Sequence, residues 1–480
     1  MNDQDFIINL GPQGTFQRSG NYQTLPEHID AMFSTFEEKE QKKIAIYFHG
    51  GLVNETEGLK VARKVAPELL KSGCAPICFV WETGLVETIS TNITKLGETS
   101  FFQDLLKYLL KKLIGKIGIE QALGRGAGAM VTDAFIESEL EKMEPFKALN
   151  DSLNNAQARG DSDLDALEYK DTIGMLENEL LREIQADYDR NNFFNVDNLP
   201  LSINNEDGIE GSRSIFGAGT IIIHMAKIAY KVIKRFIKRT DHGIYPTIIE
   251  EILRKFYLAE VGAWVWKGMK DKSSEMWNDN AGRVGHQQYV GRYFLDRLYQ
   301  YIEKFPETEI NLVGHSAGSI AICNLFLKTI NKEVNFNHII FLAPACRTEL
   351  FMNAIKSSTT RYKDLRIFTM TDENECNDVL VPYFYTRSLL YLISGVLEEG
   401  GKADDANILG LQRHINFESP YNTDKHKDLH DYLYENGVNR LCFSKTVDGS
   451  IEGLRTHSLK HGDFDDDELT VASLVYILKN

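Results

Sequence analysis

Two short apolar runs near the amino end, Lys43–Gly51 (KIAIYFHGG) and Ala75–Gly84 (APICFVWETG), are rich in Ile, Val and Phe and close on turn residues. Runs of this length and composition predict strands buried on both faces. Between them, Glu57–Leu70 carries apolar residues at helical spacing, the crossover that a β-α-β unit needs. The same alternation returns from about Val290. There Val290–Phe305 predicts an amphipathic helix with Phe294, Leu295, Leu298 and Ile302 on one side. Further strands are predicted at Glu309–Val313, His338–Ala343, Leu365–Met370 and Arg440–Ser444, mostly separated by helical stretches, and Asp467–Leu478 makes a closing helix. Strands alternating with helices give an α/β class, with a mostly parallel sheet covered by helices on both faces.

Between residues 85 and 285 the strand pattern nearly disappears. Phe101–Ile117, Leu164–Asp187, Met225–Arg239 and Tyr245–Trp266 have helical spacing, and the polar stretches Asn150–Asp163 and Asp189–Gly211 read as exposed loops. The expected organisation is therefore a core in two parts, 1–84 and 286–480, interrupted by a helical insertion at 85–285. A chain of 480 residues is long enough for this, and no internal repeat is evident.

Charge and cysteine content narrow the classes further. Asp and Glu (69) outnumber Lys and Arg (53) for a net charge of -16, so no nucleic-acid partner is expected. Six dispersed cysteines do not form a disulfide scaffold, and Cys74 and Cys78 lack a second pair at zinc-finger spacing. No basic segment precedes an apolar stretch at the amino end, and no apolar run reaches the ~18 residues of a spanning helix. A reducing, cytoplasmic setting is the expectation, with peripheral membrane association open.

The sharpest chemical signal is Gly314-His315-Ser316-Ala317-Gly318, set between the apolar run INLV and the helical run Ser319–Leu327. Strand, tight turn and helix are the context of a nucleophile elbow, which lifts a serine hydroxyl above the sheet edge. The following helix aims its amino end, and the partial positive charge there, at the same place. A second signal, His49-Gly50-Gly51-Leu52, ends the strand IAIYF far upstream. An acyl-transfer site needs two preorganised donors for the oxyanion. The Ala317 amide would supply one, and Gly51 or Leu52 the other.

In this order the two motifs resemble those of the α/β-hydrolase superfamily, over about residues 40–84 and 290–480. HGG is similar to the oxyanion loop of its esterases and lipases, and GHSAG to its serine elbow. The resemblance implies an acid and then a histidine after the serine. Asp372, directly after the run LRIFTM, matches the acid position, with Glu373, Glu375 and Asp378 as competitors in the same loop. His461 in KHGDF, before the closing helix, matches the base, with His457 as its rival. The acidic run Asp463–Glu468 reads as a cap for that helix. The resemblance also implies that a helical insertion between strands serves as a cap over the site.

Other features change this picture little. His426-x-x-x-His430 has the spacing of a helical zinc pair, but HKDLH lacks the glutamate of a zinc peptidase and a third ligand, so no metal is expected. Gly124, Gly126 and Gly128 do not match a dinucleotide fingerprint, and no cofactor is expected. Met225–Arg239 places Met225, Ile228, Ala229, Val232, Ile233 and Phe236 on one side, and Lys227, Lys231, Lys234, Arg235 and Lys238 on the other. Such a helix suits either an anionic membrane surface or a packed position with its lysines in water. The expectation is a serine hydrolase of carboxylic esters, of lipase or phospholipase type. An amide or peptide hydrolase with the same triad, or a non-catalytic binding module, are the alternatives. Substrate, oligomeric state and pathway are not legible.

Overall fold

The apolar runs become strands because parallel neighbours take up their main-chain hydrogen bonds, on both sides for all but the two edge strands. In a computed structural model, residues 2–50, 54–81, 91, 93–117, 132–151, 169–194, 218–256, 262–329, 334–398 and 405–480 are described. Seven strands form one sheet: β1 (Ile7–Leu10), β2 (Lys43–Phe48), β3 (Ala75–Trp81), β4 (Glu309–His315), β5 (Phe336–Leu342), β6 (Tyr362–Met370) and β7 (Leu441–Ser444). Their order is β1-β3-β2-β4-β5-β6-β7, and every pairing is parallel. The α/β class expected from the sequence is thus observed, and the architecture is consistent with an α/β-hydrolase-like fold. No helix among the described residues is long and apolar enough to cross a membrane.

Strand β1 is an addition to the sequence reading. Its four residues, all buried, pair Ile7 with Cys78 and Leu10 with Trp81. IINL is too short to show any periodicity, so only its position beside β3 defines it as a strand.

The chain separates into two compact units. One comprises residues 1–88, 265–378 and 407–480 and holds the sheet; the other comprises 89–264 and 379–406. In the sheet unit, the helix Glu55–Lys71 joins β2 to β3, with Asn54 capping it through the Glu57 amide. Phe33 of the helix Pro26–Glu38 meets Phe294 of the helix Val290–Lys304 at 5.6 Å between ring centres. Trp277 donates its indole N–H to the Ala321 carbonyl at 3.1 Å, which ties residues before 285 to the helix that follows the elbow. The sequence placed 265–285 with the helical insertion; these residues lie with the sheet.

The second unit is built from helices Ser100–Lys116, Asp133–Leu140, Tyr169–Asn191, Ala218–Lys238 and Ile244–Phe256. Of the helix expected over Tyr245–Trp266, the described parts lie in the helices Ile244–Phe256 and Gly262–Glu275, and 257–261 are outside the described residues. The polar loops expected at 150–163 and 189–211, and Gly124–Gly128, lie largely or wholly outside the described residues. Arg235 departs from the sequence reading. It is buried rather than displayed beside the lysines, 2.7 Å from Glu250 and 3.3 Å from Glu251. A buried cation persists only with compensating carboxylates, and the neighbouring helix supplies two. His242 extends the cluster by bridging Glu250 and Asp405 at 2.8 and 3.2 Å.

Candidate functional site

Strand β4 ends at His315, and the next residue turns sharply. Ser316 has φ of +50°, a left-handed conformation that costs a residue with a Cβ. Its main-chain atoms hold it there. The amide donates to Leu342 O at 2.8 Å, and the carbonyl accepts from the Ser319 hydroxyl (2.6 Å) and from the Ser319 and Ala345 amides (both 3.1 Å). Helix Gly318–Lys328 then begins, with buried Ala317 at its N-cap.

The glycines at either side of the turn are demanded by space. A Cβ on Gly318 would lie 2.2 Å from Phe48 O, and one on Gly314 would lie 2.8 Å from Gly318 C. Strand, turn and helix can therefore approach only without those side chains. Gly318→Ala is expected to destabilise the protein by about 3 kcal/mol, because its contact is with rigid backbone. Denaturant unfolding measures this, and wild-type stability would show that the elbow can relax.

The sequence distance between serine and base closes in space. His461, in a short turn before the helix Glu468–Lys479, places Nε2 2.8 Å from Ser316 Oγ. Both side chains are buried, Ser316 at 1% exposure and His461 at 6%. Burial, reinforced by the charge of His315, lowers the His461 imidazole to about 3. It is therefore neutral and able to accept a proton. His457 is placed differently: its Nε2 is 3.2 Å from Thr446 O, and its amide donates to Asp467.

The acid is less simply placed. Asp372 opens the helix Asp372–Asn377, with its amide donating to Gln412 Oε1 at 2.8 Å. The Nδ1 atom of His461 is buried with no hydrogen-bond partner among the described residues, so the structure does not bring Asp372 onto the imidazole. From the end of the same loop, Asp378 accepts the main-chain N–H of His461 at 2.9 Å. Burial raises the Asp378 carboxyl above its ordinary value.

On the oxyanion side, Gly50 approaches the nucleophile closely enough that a Cβ there would lie 3.4 Å from Ser316 Cβ. The expected donors Gly51 and Leu52 lie outside the described residues. His49 explains part of this loop. Its Nε2 accepts the Trp81 amide at 3.0 Å and its Nδ1 faces Gly50 O, pinning the end of β2 to the end of β3. That pattern requires a neutral ring, and burial lowers His49 to about 4.

Sequence reasoning missed one constellation. Asp465, read as part of a helix-capping run, points inward to His315 and Tyr47. Asp467 does cap the last helix, through the Thr470 amide, whereas Asp466 pairs with Lys64 instead. The histidine directly before the elbow serine was the available signal for His315; nothing local singles out Asp465. Among the described residues, no group of three or more His, Cys, Asp or Glu side chains is placed to hold a metal ion.

Comparison with family models, with curated proteins and with solved structures finds no match for this chain.

Proposed function

We propose that the protein is a serine hydrolase of carboxylic esters that works through an acyl-enzyme on Ser316. The observation that carries this reading is the 2.8 Å contact between Ser316 Oγ and the neutral Nε2 of His461, at a strained strand-to-helix turn. Ser316 Oγ attacks the ester carbonyl carbon while its proton passes to His461 Nε2. The tetrahedral oxyanion accepts from the Ala317 amide and from an amide of the Gly51–Leu52 loop. Collapse of the intermediate gives the His461 proton to the departing alkoxide. Water, activated by the same imidazole, then releases the acid.

We assign the orienting carboxylate to residues 372–378, although none of them bonds His461 Nδ1 in the structure. Asp372 has the position that motif order favours; Asp378 already grips the main chain of His461. An asparagine at 378 would still accept that N–H but would remove the carboxylate proposed to steady the imidazolium once it forms. Asp378→Asn is therefore expected to lower kcat by on the order of 100-fold, against a smaller loss for Asp372→Asn. The opposite ranking in ester-hydrolysis assays assigns the role to Asp372.

Acidity provides a further check. The free enzyme's base must be deprotonated to accept the serine proton, and burial holds His461 at about 3. The acid limb of kcat/KM, which reports the free enzyme, is expected well below the ordinary imidazole value of about 6.5. A limb at 6.5 or above in the pH–rate profile would show that burial does not hold this imidazole low.

Esters are favoured over amides only by the likeness to esterase and lipase motifs. A panel of short esters, phospholipid and peptide substrates discriminates among them. Contact with anionic lipid through residues 225–239 rests on fewer cations than the sequence suggested, since Arg235 is turned inward. Lys227 and Lys238 are exposed, and Lys231 and Lys234 are half-buried.

A further inference from the structure

A histidine–carboxylate pair lies beside the nucleophile without taking part in its chemistry. His315 places Nε2 2.9 Å from the main-chain oxygen of His461 and Nδ1 3.1 Å from Asp465 Oδ2. The Tyr47 hydroxyl donates to that same carboxylate oxygen at 2.7 Å. All three side chains are buried: His315 at 6%, Asp465 at 7% and Tyr47 at 1% exposure. They come from the end of β4, the segment after His461, and β2.

Counting protons fixes what the pair does. A main-chain carbonyl only accepts, so His315 Nε2 carries a hydrogen. A carboxylate also only accepts, so a hydrogen lies between Nδ1 and Asp465 Oδ2 as well. The pair is thus an imidazolium facing a carboxylate, joined by a charge-assisted bond. Burial opposes the charge on His315, but Asp465 overcomes it and holds the imidazole above its ordinary value; Asp465 is correspondingly lowered. Both His315 nitrogens are committed, so neither is available to the serine. One of them instead grips the backbone of the residue that is.

We infer that His315 and Asp465 are positioning residues, in which the imidazolium, anchored by Asp465 and Tyr47, fixes the main chain at His461 and so sets the approach of its Nε2 to Ser316 Oγ. This inference rests on the serine-hydrolase reading of the site. The chain of contacts closes on itself: Ser316 follows His315 directly, and His461 touches the hydroxyl with its ring and His315 with its carbonyl. A shift of His461 therefore alters the one distance on which proton transfer depends, and a misplacement near 1 Å can lower a rate by about 100-fold.

The test uses the full chain, a water-soluble ester and a fluorophosphonate probe. His315→Leu removes the donor to the His461 carbonyl, whereas the side-chain amide of His315→Gln can still donate to it. For His315→Leu, kcat per labelled site is expected to fall about 100-fold with KM nearly unchanged, and probe labelling to slow in parallel. His315→Gln is expected to recover to within about tenfold of wild type. Should His315→Leu not fold, Asp465→Asn decides the matter. It keeps the shape of the pair and removes its charge, and is expected to lower kcat about tenfold at constant KM. Wild-type kcat in folded His315→Leu, or in Asp465→Asn, overturns the positioning role while leaving the serine hydrolase standing. A wild-type protein that the probe does not label at Ser316 defeats the hydrolase reading itself, and the inference with it.

Discussion

Ser316→Ala is expected to abolish ester turnover and fluorophosphonate labelling while leaving the protein folded. The nucleophile and its base act as one unit, so losing the hydroxyl removes covalent catalysis entirely, on the order of 10⁴- to 10⁶-fold in kcat. Structurally the change is small. The Ser316 amide and carbonyl hold the turn through Leu342, Ser319 and Ala345, and alanine keeps all of those contacts. The lost hydroxyl contact with His461 accounts for about 1 kcal/mol. Thermal unfolding and circular dichroism of the variant should therefore match wild type within a few degrees, with only the labelling gone. A folded variant that still turns over ester at a substantial fraction of the wild-type rate removes Ser316 from the mechanism.

His461→Ala should lower kcat to a similar extent, because a serine without a base is barely nucleophilic. His457→Ala is the informative companion, since the two histidines stand four residues apart and the sequence alone separates them weakly. In the structure, His461 directs Nε2 at Ser316 Oγ, while His457 directs its ring at the Thr446 carbonyl. His457→Ala is accordingly expected to retain most of the activity, with any loss expressed as lower stability. Steady-state kinetics on both variants checks this, and a severe loss in His457→Ala with little in His461→Ala would transfer the role of base.

Much of the core is legible because its signals are local. A run such as IAIYF is apolar on consecutive positions, which suits a strand covered on both faces, and β2, β3, β4 and β6 fall where those runs are. The elbow is legible for the same reason: its glycines answer clashes within a few residues of the turn, or with the adjacent strand. The acid is harder to read. Asp372, Glu373, Glu375 and Asp378 fall within seven consecutive positions, and each side chain's direction depends on how that segment folds and packs. The Met225–Arg239 stretch shows the limit of periodicity. Spacing placed Arg235 with the lysines, yet it turns inward because Glu250 and Glu251 wait on a neighbouring helix.

The sequence by itself determined the α/β class, the strand positions other than β1, and the turn that presents Ser316. These follow from burial patterns and steric demands acting over a few residues. The tertiary structure alone decided which charged groups go inside. It joined Ser316 to His461 across 145 residues, drew Asp465 out of an acidic run to meet His315 and Tyr47, and turned Arg235 away from solvent. A charged or polar side chain leaves water only where fixed partners replace its lost hydration, and those partners lie on segments that are brought near only by folding.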